Sequence, residues 1–292
     1  LRIRWSNNNV VNALTIDLED WYQGLTSTGK QFEHWPNYED RVVESTQKLL
    51  DILARARVKA TFFVLGYVAD QFPELIRHVA EAGHEIGLHS YQHQQVFRLT
   101  PDQFRADVTQ GRAAVEQASG KRVFGYRAPM FSINRSAVWA LELLCEMGFR
   151  YDSSVFPTRN MLYGYPDAPR FPYHPLDNGS FVEFPLSTVR YLGMNWPVAG
   201  GFYLRLLPYQ LFKRGLQRLN REGKPAIIYL HPWDVDPGQP YPNPTLRERF
   251  THYYNLKSTE GKLAKLLRDF RFGRLVDLLD DMTLPGGSLW KS

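Results

Sequence analysis

The chain reads as an α/β protein built on parallel strands. Three observations predict this: short apolar segments of strand length recur along it, helical apolar periodicity fills several of the gaps, and charged or imidazole side chains gather directly behind the strands. Strand, helix, strand, helix at this pace fits parallel strands joined by right-handed crossovers, in either a β/α barrel or an open doubly wound sheet. In both, the chemistry belongs at the strand ends.

Taken in order, residues 13–16, 60–65, 85–88, 123–126, 181–184 and 226–230 are apolar, β-branched or aromatic runs of buried-strand length. Between them, Val42, Val43, Thr46, Leu49, Leu50 and Leu53 recur at intervals of three and four, the stripe of one helical face, and Leu75, Ile76, Val79 and Ala80 repeat the pattern. Thr100-Pro101-Asp102-Gln103 has capping-box spacing with proline at the first helical position, and Gly120 is placed to end that helix. Another helix is predicted over 136–147, stopping at Gly148. Two stretches break the rhythm: 156–178, rich in proline and aromatics, and 193–207, with Trp196 and Gly200-Gly201. Both are too aromatic for linkers and read as long ordered loops. The expectation is one domain over 1–292, with a helical C-terminal extension from about residue 258.

With 43% apolar and 22% charged residues, the chain has a globular balance that excludes disorder and collagen-like structure. Apolar runs such as 226–230 fall far short of the roughly 18 to 20 residues of a membrane-spanning helix, so no membrane span is expected. The net charge of +5 comes from scattered residues, 35 basic against 30 acidic, which argues against a nucleic-acid partner. One cysteine, Cys145, excludes a disulfide framework and a multi-cysteine zinc site, so any metal must be held by His, Asp or Glu. Leu1-Arg2-Ile3-Arg4-Trp5 carries no apolar signal segment, which makes a cytoplasmic location the expectation, with a trimmed leader left open.

Five places could carry chemistry. In Asp17-Leu18-Glu19-Asp20, behind the first strand, Asp17 and Glu19 point to the same side of an extended chain; an acidic turn and helix cap is the plain alternative. His89 and His93, behind the third strand, are four apart, a spacing at which both imidazoles reach one metal ion; two unrelated surface histidines are the alternative. Two His and one carboxylate would leave coordination positions open for water, as in catalytic sites. Arg127 closes a strand before Ala128-Pro129, and His231 ends the apolar strand Ile227-Ile228-Tyr229-Leu230. Asp152, after Tyr151, is a strand-end or turn carboxylate.

In this order the pieces resemble the polysaccharide deacetylase family, carbohydrate esterase family four, over about residues 10–235. Within it, Asp17-Leu18-Glu19-Asp20-Trp21-Tyr22, His89-Ser90-Tyr91-Gln92-His93, Tyr126-Arg127-Ala128-Pro129 and Ala199-Gly200-Gly201-Phe202-Tyr203-Leu204-Arg205 are similar to the branch tied to bacterial exopolysaccharide production and exosortase systems. The resemblance implies a distorted (β/α) barrel of about seven parallel strands. It also implies a metal-dependent hydrolase that removes N-acetyl groups from a sugar polymer or its lipid-linked precursor. The implied cofactor is one divalent ion, Zn²⁺ by preference, held by His89, His93 and either Glu19 or Asp20. The family's usual Thr-Phe-Asp-Asp-Gly is here Thr15-Ile16-Asp17-Leu18-Glu19-Asp20, which leaves the metal carboxylate open between those two. Asp17 is implied as general base positioned by Arg127, and His231 as general acid oriented, with its pKa raised, by Asp152. Tyr126, Pro129, Trp196 and Trp233 are the expected substrate-binding residues. No Trp follows Asp152, and Tyr229 stands where Leu is common, so the substrate side departs from the family pattern. Hydrolysis of a small cyclic amide or ureide on the same scaffold, and a non-catalytic sugar-binding protein, are the competing readings.

Overall fold

The computed structural model describes residues 10–279 apart from 26, 29–30, 160–163 and 178. Residues 1–5, on which the leader expectation rests, lie outside the described residues, as does part of the 156–178 stretch. Strand β1 (Val11–Leu18) is the axis of the sheet. On one edge it pairs in parallel with β2 (Thr61–Val64), Thr15 opposite Thr61 and Leu18 opposite Val64. On the other it pairs with β9 (Ile227–Leu230), Ala13 opposite Ile227 and Ile16 opposite Leu230. The sheet continues from β2 through β3 (Glu85–Leu88), β4 (Gly125–Tyr126), β5 (Tyr151–Asp152) and β6 (Val182–Glu183), every pair parallel. Seven parallel strands thus curl into a distorted (β/α) barrel. The edges β6 and β9 are bridged through Ser187, whose Oγ accepts from the Ile227 N–H at 2.7 Å and whose N–H donates to the Ile227 carbonyl at 3.3 Å.

The alternation of β1 divides its side chains between two environments. Leu14, Ile16 and Leu18 pack outward into the apolar cluster shared with the helices. Ala13 joins the barrel interior with Phe63, Tyr151, Phe184 and Tyr229, and Thr15 and Asp17 both reach Arg127. The predicted helices form as Val42–Ala56, Pro73–Glu81, Pro101–Ser119 and Trp139–Glu146. Thr100 and Gln103 make the expected capping box, and Gly120 closes that helix in the left-handed region at φ 64°. None of the described helices is long and apolar enough to cross a membrane.

Two expectations need correction. The 193–207 stretch is not a loop: β7 (Thr188–Tyr191) and β8 (Met194–Pro197) form an antiparallel hairpin, and a helix, Gly201–Leu206, follows. Leu192 and Gly193 turn the hairpin at φ 49° and 77°, the positive pair that a tight two-residue hairpin turn demands. The C-terminal extension is also more than helix. After Thr259–Asp269 the chain returns as β10 (Arg271–Gly273) beside the start of β1, then forms Leu275–Leu279.

Asp152 and Glu183 face each other in register across β5 and β6, both fully buried. Glu183 Oε1 accepts from the Val155 N–H at 2.9 Å, while Oε2 lacks a donor, which a proton shared with Asp152 would provide. Burial, reinforced by the Asp152 charge, pushes the Glu183 carboxyl well above its ordinary value. Between the unfolded pKa and this raised one, the folded state holds the extra proton, so stability falls as pH rises. The slope is at most about 1.4 kcal/mol per pH unit. Glu183→Gln, which imitates the protonated acid, is expected to flatten this slope and to raise Tm more at pH 8 than at pH 5. Calorimetry across that range checks it; an unchanged slope would show that Glu183 is ionised in the fold.

Candidate active site

Asp17, near the end of β1, accepts from Arg127 Nη1 through Oδ1 at 2.7 Å. Arg127, directly behind β4, is fully buried and held on several sides. Its Nη1 also donates to Thr15 Oγ1 at 2.6 Å, Nη2 to Ser153 Oγ at 2.7 Å and Nε to the Ser153 carbonyl at 2.9 Å. Burial raises the Asp17 carboxyl, and the guanidinium opposes that rise.

His89 and His93 converge on Glu19. The ligand atoms of the three residues lie within 4.8 Å of one another, the group among the described residues suited to a metal ion. Glu19 Oε2 is 2.7 Å from His93 Nε2 and 3.9 Å from His89 Nε2. His89 Nδ1 lies 2.8 Å from the Arg127 carbonyl, which can only accept, so Nδ1 carries the proton and Nε2 offers its lone pair toward Glu19. His93 arrives through a tight loop in which Ser90 and His93 adopt φ 63° and 54°, unusual for non-glycine residues. Asp107, on the helix Pro101–Ser119, holds that loop by accepting from the Tyr91 and Gln92 N–H groups at 3.0 and 3.1 Å. Burial acts to raise Glu19, but the facing His93, His231 and His89 together outweigh it and take the carboxyl down to about 2; burial takes His89 down to about 3. A buried Glu19 Oε2 with no well-aligned donor, facing an imidazole lone pair, is a set of acceptors that a cation would satisfy. These residues fit a divalent metal ion.

Asp20, the alternative carboxylate, is turned away from this group. Its Oδ1 accepts from the Trp21 N–H at 2.7 Å and its Oδ2 from Arg41 and Val42 N–H at 2.7 and 2.9 Å. It therefore caps its own short helix and also the helix Val42–Ala56, whose residue at the cap position, Arg41, provides no side-chain cap.

His231, directly behind β9, places Nε2 3.6 Å from Glu19 Oε1 and 4.0 Å from Asp17 Oδ2. Its implied partner Asp152 is elsewhere: it accepts from Ser154 Oγ at 2.6 Å, and that hydroxyl accepts from the Ala128 N–H at 2.7 Å, so Asp152 supports the turn behind Arg127. Asp234 takes the place expected for it, with Oδ2 2.9 Å from the His231 backbone N and 3.2 Å from Nδ1. The expected rise in the His231 pKa is also reversed: burial takes it down to about 4, against the pull of Glu19 and Asp17. Asp234 in turn pairs with Arg205, and both are buried. Neither was singled out from the sequence. The available signal was the spacing His231-Pro232-Trp233-Asp234, a capping box with proline at the first helical position.

The expected substrate contacts divide. Trp233 lines the site, stacked between His231 (ring centroids 4.2 Å) and His252 (3.9 Å), with Nε1 3.4 Å from Glu19 Oε1. Tyr126 is a core residue, wholly buried against Phe104 and Phe149, because its side chain leaves the short β4 on the helix-covered face. Pro129 is buried at the start of a turn, and its neighbours Met130 and Phe131 form the wall instead. Trp196 sits 49% exposed on β8 and is not part of the cleft wall. The cleft itself, about 340 Å³, has Asp17, Glu19, His89, His93 and His231 among its lining residues, with Phe202, Tyr203 and Leu25 contributing apolar walls.

Residues 29–151 match the family described as polysaccharide deacetylase, and residues 153–280 match a domain of unknown function (DUF3473). Over residues 29–151 the chain is thus similar to the polysaccharide deacetylase family. It is 34% identical over 101 residues to a peptidoglycan-N-acetylglucosamine deacetylase of Bacillus cereus, covering 34% of this chain and 37% of that one. To the peptidoglycan-N-acetylmuramic acid deacetylase PdaA of Bacillus subtilis it is 32% identical over 120 residues, covering 41% and 44%. The chain thus spans less than half the length of these curated relatives. Its fold is similar to the crystal structure of a polysaccharide-deacetylase-like protein from Mycobacterium smegmatis, with a TM-score of 0.69 at 22% identity over 99% of this chain and 97% of that one. The deacetylase match ends inside β5, yet the parallel sheet continues through β6 and β9, so both matched segments build one sheet and both border the cleft.

Proposed function

We propose that this protein is a metal-dependent carbohydrate N-deacetylase that hydrolyses the acetamide groups of an N-acetylated sugar polymer or its lipid-linked precursor. The observation that carries the reading is the convergence, in one cleft, of an Arg-held aspartate, a Glu-His-His group and a histidine at the end of the neighbouring strand β9. The relatives' deacetylation of peptidoglycan sugars supports the substrate class. The aromatic and apolar walls suit the faces of a sugar ring. A place in bacterial exopolysaccharide production is supported by the motif wording around Asp17, His89, Arg127 and Ala199. The two matched segments act in this reading as one catalytic domain.

Glu19, His89 and His93 would hold one divalent ion, Zn²⁺ in this reading, which when bound polarises the carbonyl and makes a water more acidic. Asp17 accepts a proton from the attacking water as the water oxygen bonds to the carbonyl carbon. Arg127 keeps the carboxylate oriented, and a pKa lifted by burial brings Asp17 closer to the working pH of a general base. When the carbon–nitrogen bond breaks, acetate is released and the departing nitrogen must gain a proton, since an amine anion leaves poorly. His231 gives that proton from Nε2, the nitrogen that faces Asp17 and Glu19. Burial holds the resting imidazole down at about 4, so the donated proton is one that Nε2 takes up within the site, where the facing Asp17 and Glu19 carboxylates favour the charged imidazolium.

Acetate release should be measured from a panel of N-acetylated oligosaccharides and, in parallel, hydrolysis of cyclic ureides, with and without chelator. Acetate from the oligosaccharides, lost with chelator and restored by Zn²⁺, is the expected outcome. Turnover of a ureide alone, or full activity in chelator, would overturn the reading.

A further inference from the structure

We propose that the segment 153–280 builds the proton-donating half of the site, and that its buried Arg205–Asp234 pair is the device that holds His231 in its working orientation. This rests on the deacetylase reading above and deepens it. Asp234 uses both oxygens: Oδ2 takes the His231 backbone N–H and faces Nδ1, while Oδ1 meets Arg205 Nη1. A carboxylate only accepts, so the proton sits on Nδ1 and Nε2 is left pointing at Asp17 and Glu19.

A carboxylate with no exposure needs a fixed counter-charge, and Arg205 is fixed by the chain around it. Its Nε donates to the Tyr254 carbonyl at 2.9 Å and its Nη2 to the Thr251 and His252 carbonyls at 2.9 and 3.2 Å. Those carbonyls belong to the π-helical turn Arg249–Tyr253 and the residue after it, and π-helical turns are frequent at functional sites. The helix Gly201–Leu206 that carries Arg205 is held at its C-terminal end by Lys262, whose Nζ donates to the Leu204, Arg205 and Leu207 carbonyls at 2.9, 2.9 and 2.8 Å. At the other end of that helix Gly201 passes so close to Asp234 that a Cβ there would overlap the carboxylate. Four separated pieces of the segment therefore meet around one ion pair, whose outer contact is the imidazole. The capping box accounts for the bond to the His231 backbone N–H, and the approach of the same oxygen to Nδ1, at 3.2 Å, is what ties the pair to the imidazole.

The test uses the whole metal-loaded chain, an N-acetylated oligosaccharide and 4-nitrophenyl acetate, whose leaving group departs without a proton. Asp234→Asn is expected to lower kcat on the acetamide by about 10²-fold with KM little changed, and to cost the aryl acetate far less. Arg205→Lys, which keeps a cation but loses the forked carbonyl contacts, should show the same selectivity more weakly, and thermal melts establish that both variants fold. Imidazole ¹⁵N–¹H spectra read His231 without any turnover: the Nδ1–H resonance should move upfield in Asp234→Asn as a charge-assisted bond is lost. Equal loss on both substrates, or an unmoved resonance, would overturn the assignment. A wild-type chain inert on acetamides, with the resonance still moving in Asp234→Asn, would sink the deacetylase reading and leave the Arg205–Asp234 assignment standing.

Discussion

Glu19→Ala is expected to strip the metal from the purified protein and abolish turnover, whereas Asp20→Ala should keep the metal and lose stability. The difference follows from what each carboxylate touches. Glu19 Oε2 lies against His93 and faces His89, so removing it takes away the anionic member of the group. The several kcal/mol that a bound metal contributes to such a reaction correspond to about 10³-fold in kcat/KM. Asp20 instead satisfies three backbone N–H groups at two helix starts, and its truncation should cost about 1–3 kcal/mol of folding free energy. Elemental analysis after dialysis and calorimetry on both variants check the pair of outcomes. Metal retained in Glu19→Ala and lost in Asp20→Ala would transfer the ligand role to Asp20.

Asp17→Asn is expected to leave the metal in place and remove about 10²- to 10⁴-fold of kcat, the range a general base contributes. Asparagine keeps the shape of the side chain and an oxygen for Arg127, so the buried guanidinium retains an acceptor and the fold is preserved. What it cannot do is take a proton. Asp17→Ala would confound the measurement, because an uncompensated buried arginine costs about 3–5 kcal/mol. Metal content and kcat are measured on the same preparation. A variant that loses its metal would show Asp17 to be a ligand, and one that keeps full activity would remove it from the mechanism.

Much of this site was legible because it depends on residues near one another in the chain. The alternation of β1 by itself sends Asp17 and Glu19 to one side, and the four-residue spacing of His89 and His93 is a local property of one loop. The helix starting at Thr100 declares its own cap for the same reason. Arg127 and His231 were visible as polar residues ending apolar runs, since in a parallel sheet such ends gather on one face of the barrel.

Only the tertiary structure decided which partner each polar group found. Asp20 and Glu19 are adjacent in sequence, yet one caps a helix that begins at Val42 and the other faces two histidines some seventy residues away. Asp152 meets Glu183 because β5 and β6 are register partners, and with its oxygens engaged there and at Ser154 it is not the residue beside His231. Tyr126 left the expected cleft because a two-residue strand gives no periodicity from which to read its direction. The Arg205–Asp234 pair, which links a helix, a turn and a π-helical segment, leaves no local trace beyond one capping-box spacing. Propensity and period arise between neighbours along the chain. The pairing of buried charges is set by through-space distance and by the cost of leaving one alone, and both exist only once the barrel has closed around them.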